Sequence, residues 1–214
     1  MNDDITAIRD ELRKNLNVYT LRAFSLIRDI DNPAILDVGC GTGVPSLALV
    51  ERCNGTIFAV DSDIDSVNRF REKVRILGLE ERIRVAHGSV FDHSLINRKF
   101  DIVLAEGLLN VVGFEAGLAE LRHYARSGGF IIIHDELKDD PGKRLIFNEQ
   151  NLVLLGSFTL DENIWWNEYF ACLEKRIHAL EDKSQFKKDL EEIEACRRDP
   201  ESCRSVYYIL RSDN

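Results

Sequence analysis

Ala34-Ile-Leu-Asp-Val-Gly-Cys-Gly-Thr-Gly-Val44 places three glycines directly after an apolar strand and one acid inside that strand's end. Gly39, Gly41 and Gly43 carry no Cβ, so the backbone here can press against a ligand that side chains would hold away. The next residues, Pro45-Ser-Leu-Ala-Leu-Val-Glu51, read as a helix with proline in its first turn. About twenty residues beyond the glycines, Thr56-Ile-Phe-Ala-Val-Asp61 is a second apolar run ending in an acid, the placement that accepts hydrogen bonds from two ribose hydroxyls.

Charge separates the ligands such a loop holds. A pyrophosphate is repelled by Asp37, whereas the ammonium of S-adenosylmethionine (SAM) is attracted. Val44 also stands where the third glycine of a dinucleotide fingerprint falls, which weakens a nucleotide-dependent oxidoreductase reading.

Composition narrows the class. The 214 residues, 44% hydrophobic, suffice for one compact domain spanning 1–214, and no apolar run is long enough to span a membrane. A net charge of −9 argues against a nucleic-acid partner. Lys187-Lys188 and Arg197-Arg198 sit among acids and read as solvated helix faces. The acidic start Met1-Asn-Asp-Asp-Ile-Thr lacks the features of a signal peptide, so a cytoplasmic protein is expected. Cys40, Cys53, Cys172, Cys196 and Cys203 form no C-x-x-C pair and are expected to be reduced thiols, with no metal site.

Helical and strand patterns alternate, which predicts an α/β fold with a parallel sheet. Ile5, Ile8, Leu12 and Leu16 form an N-terminal helical stripe. Strands are expected near 33–38, 56–61, 82–87, 100–105 and 129–134, with Gly128-Gly129 ending the helix before the fifth. A helix near 142–153 and a short strand near 156–160 follow, then some forty mostly helical residues before a last strand, Val206-Tyr-Tyr-Ile-Leu210. Ligands of open α/β sheets lie outside the carboxyl ends of the strands, where Asp37, Asp61, Ser89, Glu106 and His134-Asp135-Glu136 converge.

The glycine run resembles the first motif of the class I SAM-dependent methyltransferases. Thr20-Leu-Arg-Ala23, Glu106-Gly107, Gly113-Phe-Glu115, Trp165-Trp-Asn-Glu-Tyr-Phe170 and Leu173-Glu-Lys-Arg-Ile177 are similar to a bacterial and archaeal small-molecule subgroup, so the resemblance covers nearly the whole chain. It implies a Rossmann-like sheet of seven mostly parallel strands with a reversed strand at the edge, an N-terminal helical cap (1–30) and a helical lid inserted at 161–203. It also implies SAM as cofactor and a small-molecule acceptor. Gly39, Cys40 and Gly41 would pass the methionine part, with Asp37 ordering the loop or meeting the ammonium through water. Asp61 would hold the ribose, Ser62, Ser89 and Val90 would border the adenine, and Thr20 and Arg22 would bind the carboxylate. Ser62 departs from the aliphatic residue usual after this acid, leaving Ile64 or Val90 to take its place.

Methyl transfer from an activated donor depends mainly on orientation and exclusion of water. Glu106 and His134, at neighbouring strand ends, are the candidate bases; a structural, hydrogen-bonded histidine is the competing reading of His134. Asp135 and Glu136 are expected to begin a solvated loop. Asn110, His134, Trp165, Trp166 and Tyr169 are the candidate acceptor contacts, and packing of a helical lid is the other reading of the aromatics. The nine-residue spacing of Glu106 and Glu115 also fits a protein arginine methyltransferase, but the chain has no room for that family's β-barrel. A non-catalytic SAM-binding regulator stays open.

Overall fold

The computed structural model describes residues 5–27, 30–180 and 182–213. Seven strands form one sheet: β1 (Ala34–Val38), β2 (Thr56–Asp61), β3 (Ile83–His87), β4 (Phe100–Glu106), β5 (Ala125–Glu136), β6 (Leu152–Leu160) and β7 (Ser205–Ser212). Their order is β3-β2-β1-β4-β5-β7-β6. The first five strands pair in parallel, and β7 runs antiparallel to both β5 and β6. The reversed strand thus lies one place in from the edge that β6 forms.

The helices are α1 (Ile5–Arg13), α2 (Asn17–Ser25), α3 (Val44–Val50), α4 (Ile64–Ile76), α5 (Leu109–Val112), α6 (Phe114–Tyr124), α7 (Asp140–Glu149), α8 (Glu162–Trp165), α9 (Ala171–His178) and α10 (Lys187–Arg198). Local chemistry starts several of them. Asp63 caps α4 by accepting from the amides of Asp65 and Ser66, and Asp161 caps α8 by accepting from that of Ile164 at 3.0 Å. Proline occupies the first turn of α3.

Several boundaries differ from the sequence expectation. The helix before β5 ends at Tyr124, not at the glycine pair; Gly128 and Gly129 lie inside β5, where the pairing with β4 shifts register. The strand β6 begins at Leu152 because antiparallel pairing with β7 continues back to Ser212. That extension leaves α7 to stop at Glu149.

Both sheet faces are buried. Leu36, Val60, Val103, Ile131 and Tyr208 point to the α6 and α7 side, where Leu118, Leu121 and Phe147 meet them. Ile35, Ala59, Ile102, Ile132 and Ile209 face the other side with Ala23, Leu49 and Phe70. A third apolar cluster joins the two additions to this layered core. Ile8 and Leu16 from the N-terminal segment pack with Tyr169, Leu173, Ile177, Phe186 and Ile193 from the segment before β7. Arg9 fixes the same junction with two bonds to the buried Asp189, at 2.6 and 2.7 Å. Cap and insertion therefore form one layer over the carboxyl ends of the central strands.

The five thiols are not all separate. Cys196 and Cys203 form a disulfide with a Cα separation of 5.8 Å, because the 3-10 turn Pro200–Cys203 doubles back on the end of α10. Cys40, Cys53 and Cys172 are free.

Candidate functional site

A cavity of about 1090 Å³ opens at the carboxyl ends of β1, β4 and β5. Its floor is the glycine loop, Glu106-Gly107 and His134 to Lys138. Arg13, Leu16, Asn17 and Thr20 wall one side, and Trp165, Phe170, Cys196, Cys203 and Arg204 the other.

The three glycines do different work. Gly41 has φ +51° and a Cβ built there would meet nothing within 4 Å, so its open side faces ligand space. Gly43 has φ +83° and its missing Cβ would lie 2.2 Å from the Phe70 ring, so it serves packing of α4. The loop tip is tied down by the Gly41 amide, which donates to Asp61 at 2.7 Å. The other Asp61 oxygen accepts from the Asp63 amide at 2.8 Å. Two lone pairs of the carboxylate remain for a further donor. Outside the loop, Asp10 accepts from the Thr42 hydroxyl and from Lys73 at 2.6 Å, clasping α1 onto it.

Three carboxylates crowd this end of the sheet. Asp37 is buried, its Oδ2 accepts from the Ser46 hydroxyl at 2.6 Å, and it sits near Glu106 and Asp61. Burial pushes its pKa up to about 7; the Ser46 bond works against this, and the neighbouring Glu106 and Asp61 charges add to it. Removal from water also raises Glu106, while hydrogen bonds from Thr20 and Tyr207 and the nearby Arg13 charge pull it down. Thr20 Oγ1 donates to Glu106 Oε1 at 2.7 Å and the Tyr207 phenol to the same oxygen at 3.1 Å.

His134 pairs in register with Glu106 on one side and Tyr207 on the other. Its ring lies parallel to those of Tyr207, at 4.2 Å, and Trp165, at 5.8 Å. Trp165 Nε1 donates to Ser205 Oγ at 2.8 Å, and the same hydroxyl lies 2.8 Å from His134 Nε2. The Ser205 hydroxyl thus accepts from the indole and shares a second hydrogen bond with His134 Nε2, whose direction follows the tautomer of the ring. Burial, assisted by Arg13, lowers the His134 pKa to about 3. A lowered pKa favours the neutral ring, in keeping with the structural, hydrogen-bonded reading of His134 over that of a general base.

Asp135 is the residue the sequence misjudged. It is buried, not solvated: Oδ2 accepts from Lys143 at 2.6 Å, and Oδ1, also buried, has no partner. Lys143 is held in turn by the Glu136 carbonyl and by the Phe114 ring, so it stays with Oδ2.

Of the expected residues, Thr20, Asp37, Gly39, Cys40, Gly41, Glu106, Asn110, His134 and Trp165 line the cavity. Asp61, Ser62 and Ser89 stand beyond it at the ends of β2 and β3, the two serines exposed. Four more of the expected residues lie away from the cavity. Arg22 stacks 4.1 Å over Phe158 and turns away from the cavity; Arg13, one cap helix earlier, lines it. Val90 is drawn into the core, where its carbonyl accepts from the Tyr124 phenol at 2.6 Å. Trp166 lies beneath Arg197, and Tyr169 is packed in the third apolar cluster, so of these aromatics only Trp165 reaches the cavity. Arg13 and Tyr207 were missed. A glutamate at one strand end and a tyrosine two residues into the last strand carry no spacing signal that joins them. Burial pushes the Cys40 thiol up.

Among the described residues, no helix is long and apolar enough to cross a membrane, and no group of three or more His, Cys, Asp or Glu side chains is arranged for a metal ion.

Comparison with known proteins agrees with this layout. The family described as Methyltransferase domain matches residues 35–129, from β1 into β5. The chain is 34% identical over 166 residues to a ribosomal protein L11 methyltransferase of Gloeobacter violaceus, covering 77% of this chain and 48% of that protein. It is 27% identical over 174 residues to a demethylmenaquinone methyltransferase of Bacteroides fragilis, covering 76% and 71%. The chain thus spans about half the length of the first relative. In fold it is similar to the cyclase SpnF (TM-score 0.78, 14% identity, 92% of this chain and 81% of that one). A SAM-dependent methyltransferase from Geobacter sulfurreducens in complex with S-adenosyl-L-homocysteine has a TM-score of 0.68 at 14% identity, covering 89% of each chain.

Proposed function

We propose that the chain, whose residues 35–129 match the methyltransferase-domain family, is a class I SAM-dependent methyltransferase that moves the methyl group of SAM to a small-molecule acceptor by in-line displacement. The observation that carries this is the meeting of the open face of Gly41 with the Asp37 and Glu106 carboxylates in one cavity, with Asp61 bonded to the Gly41 amide just beyond it. A cluster of like charges is costly, and a ligand bearing an ammonium and a sulfonium relieves it. SAM supplies, when bound, a methyl group already activated by its positive sulfur.

The residues present fit that ligand. Asp61 retains lone pairs for a ribose diol, Gly41 gives room for close approach, and Arg13 is the cation facing the ligand's carboxylate. Ser62 and Ser89 border the adenine side. Glu106 is the candidate base, its pKa raised by burial. His134, held between Trp165 and Tyr207 with Nε2 bonded to Ser205, helps shape the acceptor end of the cavity. Asp135 Oδ1, buried without a partner, is the group an acceptor's own N–H or O–H would satisfy. The cap and insertion, 161–203 included, act as a cover that excludes water within a single domain.

The likeness to a ribosomal protein methyltransferase supports a second reading, a protein acceptor. Incubation with methyl-labelled SAM and a fractionated cell extract separates the two. Label in one low-molecular-weight product supports the first reading; label confined to the protein fraction replaces it with the second.

A further inference from the structure

We propose that Cys196 and Cys203 are a reversible thiol–disulfide site that fastens the rim of the cavity. Both sulfur-bearing residues line that cavity, Cys196 from the last turn of α10 and Cys203 from the turn leading into β7. Cys203 is only partly buried, so a small thiol or disulfide reaches it through the cavity mouth.

The loop they close is tied at each end to one of the chain's two tryptophans. Next to Cys196, the Arg197 guanidinium lies 5.1 Å over the Trp166 ring. Two residues past Cys203, Ser205 Oγ accepts from Trp165 Nε1 at 2.8 Å and meets His134. Arg197 also bonds Glu174 of α9 at 2.7 and 2.8 Å. Closing the disulfide pins the last turn of α10 to the turn that enters β7, seven residues on; opening it leaves the intervening backbone and the side-chain contacts to hold them together.

The chemistry balances with a glutathione-type disulfide as oxidant. The Cys203 thiolate attacks one of its sulfurs, forming a mixed disulfide and releasing one glutathione thiolate. The Cys196 thiolate then attacks the Cys203 sulfur, closing the pair and releasing the second. Two cysteine thiols lose two electrons and two protons, and one glutathione disulfide becomes two thiols.

The test equilibrates the full chain across ratios of reduced to oxidised glutathione, traps free thiols by alkylation and maps them by mass spectrometry. Tryptophan emission, amide exchange over 196–207 and dissociation of S-adenosyl-L-homocysteine are read on the same samples. A Cys196–Cys203 crosslink that follows the glutathione ratio is expected, with emission and exchange changing in step. Reduction should speed dissociation of the homocysteine ligand by a factor of about three or more, since mobile rims act mainly on off-rates. Cys203→Ser should match the reduced chain at every ratio, and Cys172→Ser should match the native chain. No crosslink at any ratio, or a crosslink that leaves emission and exchange unmoved, overturns the proposal. The ligand rate alone rests on the methyltransferase reading. If S-adenosyl-L-homocysteine binds neither form while emission and exchange still follow the ratio, the redox site stands and the cofactor reading fails.

Discussion

The Tyr207 phenol donates to Oε1 of Glu106 at 3.1 Å, joining the first residues of the last strand to the end of β4 across 101 positions of sequence. Thr20 brings a second hydroxyl to the same oxygen from the cap. Three separate segments thus set the charge of one carboxyl group.

That arrangement predicts a shifted pH profile. Both hydroxyls stabilise the ionised form, so Tyr207→Phe and Thr20→Val each raise the Glu106 pKa. With the acceptor found by label transfer, the acid limb of kcat should move to higher pH in each variant. Glu106→Gln should lower kcat by about 10²–10⁴, a larger loss than the weakening of SAM that follows from removing one charge of the cluster. An unshifted limb in Tyr207→Phe would remove the pair from the proton path.

Asp37 gives a stability prediction with a definite sign. Its pKa is about 7 in the fold against 3.8 in the open chain, so between these values the folded state keeps a proton the unfolded state has lost. Stability from this group is whole below pH 4 and falls as pH rises through 7, by at most about 4 kcal/mol. Asp37→Asn has no charge to bury. Thermal melts should show the variant gaining on the native chain from pH 4 to 8; parallel curves would contradict the assignment.

Gly41 and Gly43, two residues apart, should respond oppositely. Gly43→Ala drives a methyl group into the Phe70 ring at a left-handed backbone position, a loss of roughly 2–4 kcal/mol. Gly41→Val adds bulk to open space at a left-handed position, a strain of about 1–2 kcal/mol that the fold should survive as judged by circular dichroism, while abolishing SAM binding. A stable Gly43→Ala chain, or a Gly41→Val chain that binds SAM tightly, would reverse these roles.

The two tryptophans also divide. Trp166→Ala removes the Arg197 contact and loosens the cover, so it should lower turnover more than SAM affinity. Both indoles lie in this segment, and their emission should shift when S-adenosyl-L-homocysteine binds. Unchanged emission and unchanged amide exchange over 163–180 would mark the segment as rigid packing.

Much of this was legible in the sequence because it is local. Strand, glycine loop and terminal acid lie within thirty residues, and periodicity marked the strands from Ala34 to His134. What failed was set by distant partners. Asp135 reads as the start of a polar loop until Lys143, one helix on, covers it. Arg22 has the right place in sequence, but Phe158 on the edge strand captures it, and Arg13 takes the cavity wall. Val90 was placed by the Tyr124 phenol, and the Cys196–Cys203 pair by a turn that no cysteine spacing announces.

Calorimetric titration of the full chain with SAM at pH 7, repeated in phosphate and in Tris, tests the central claim most directly. The account predicts one site per chain, with an apparent enthalpy that differs between the buffers because binding a cation beside Asp37 releases its proton. Asp61→Ala should weaken binding by about ten- to a hundredfold, the loss of hydrogen bonds to a charged group worth roughly 1.5–3 kcal/mol. A folded native chain that takes up no SAM, or an Asp61→Ala chain that binds it equally well, would contradict the account.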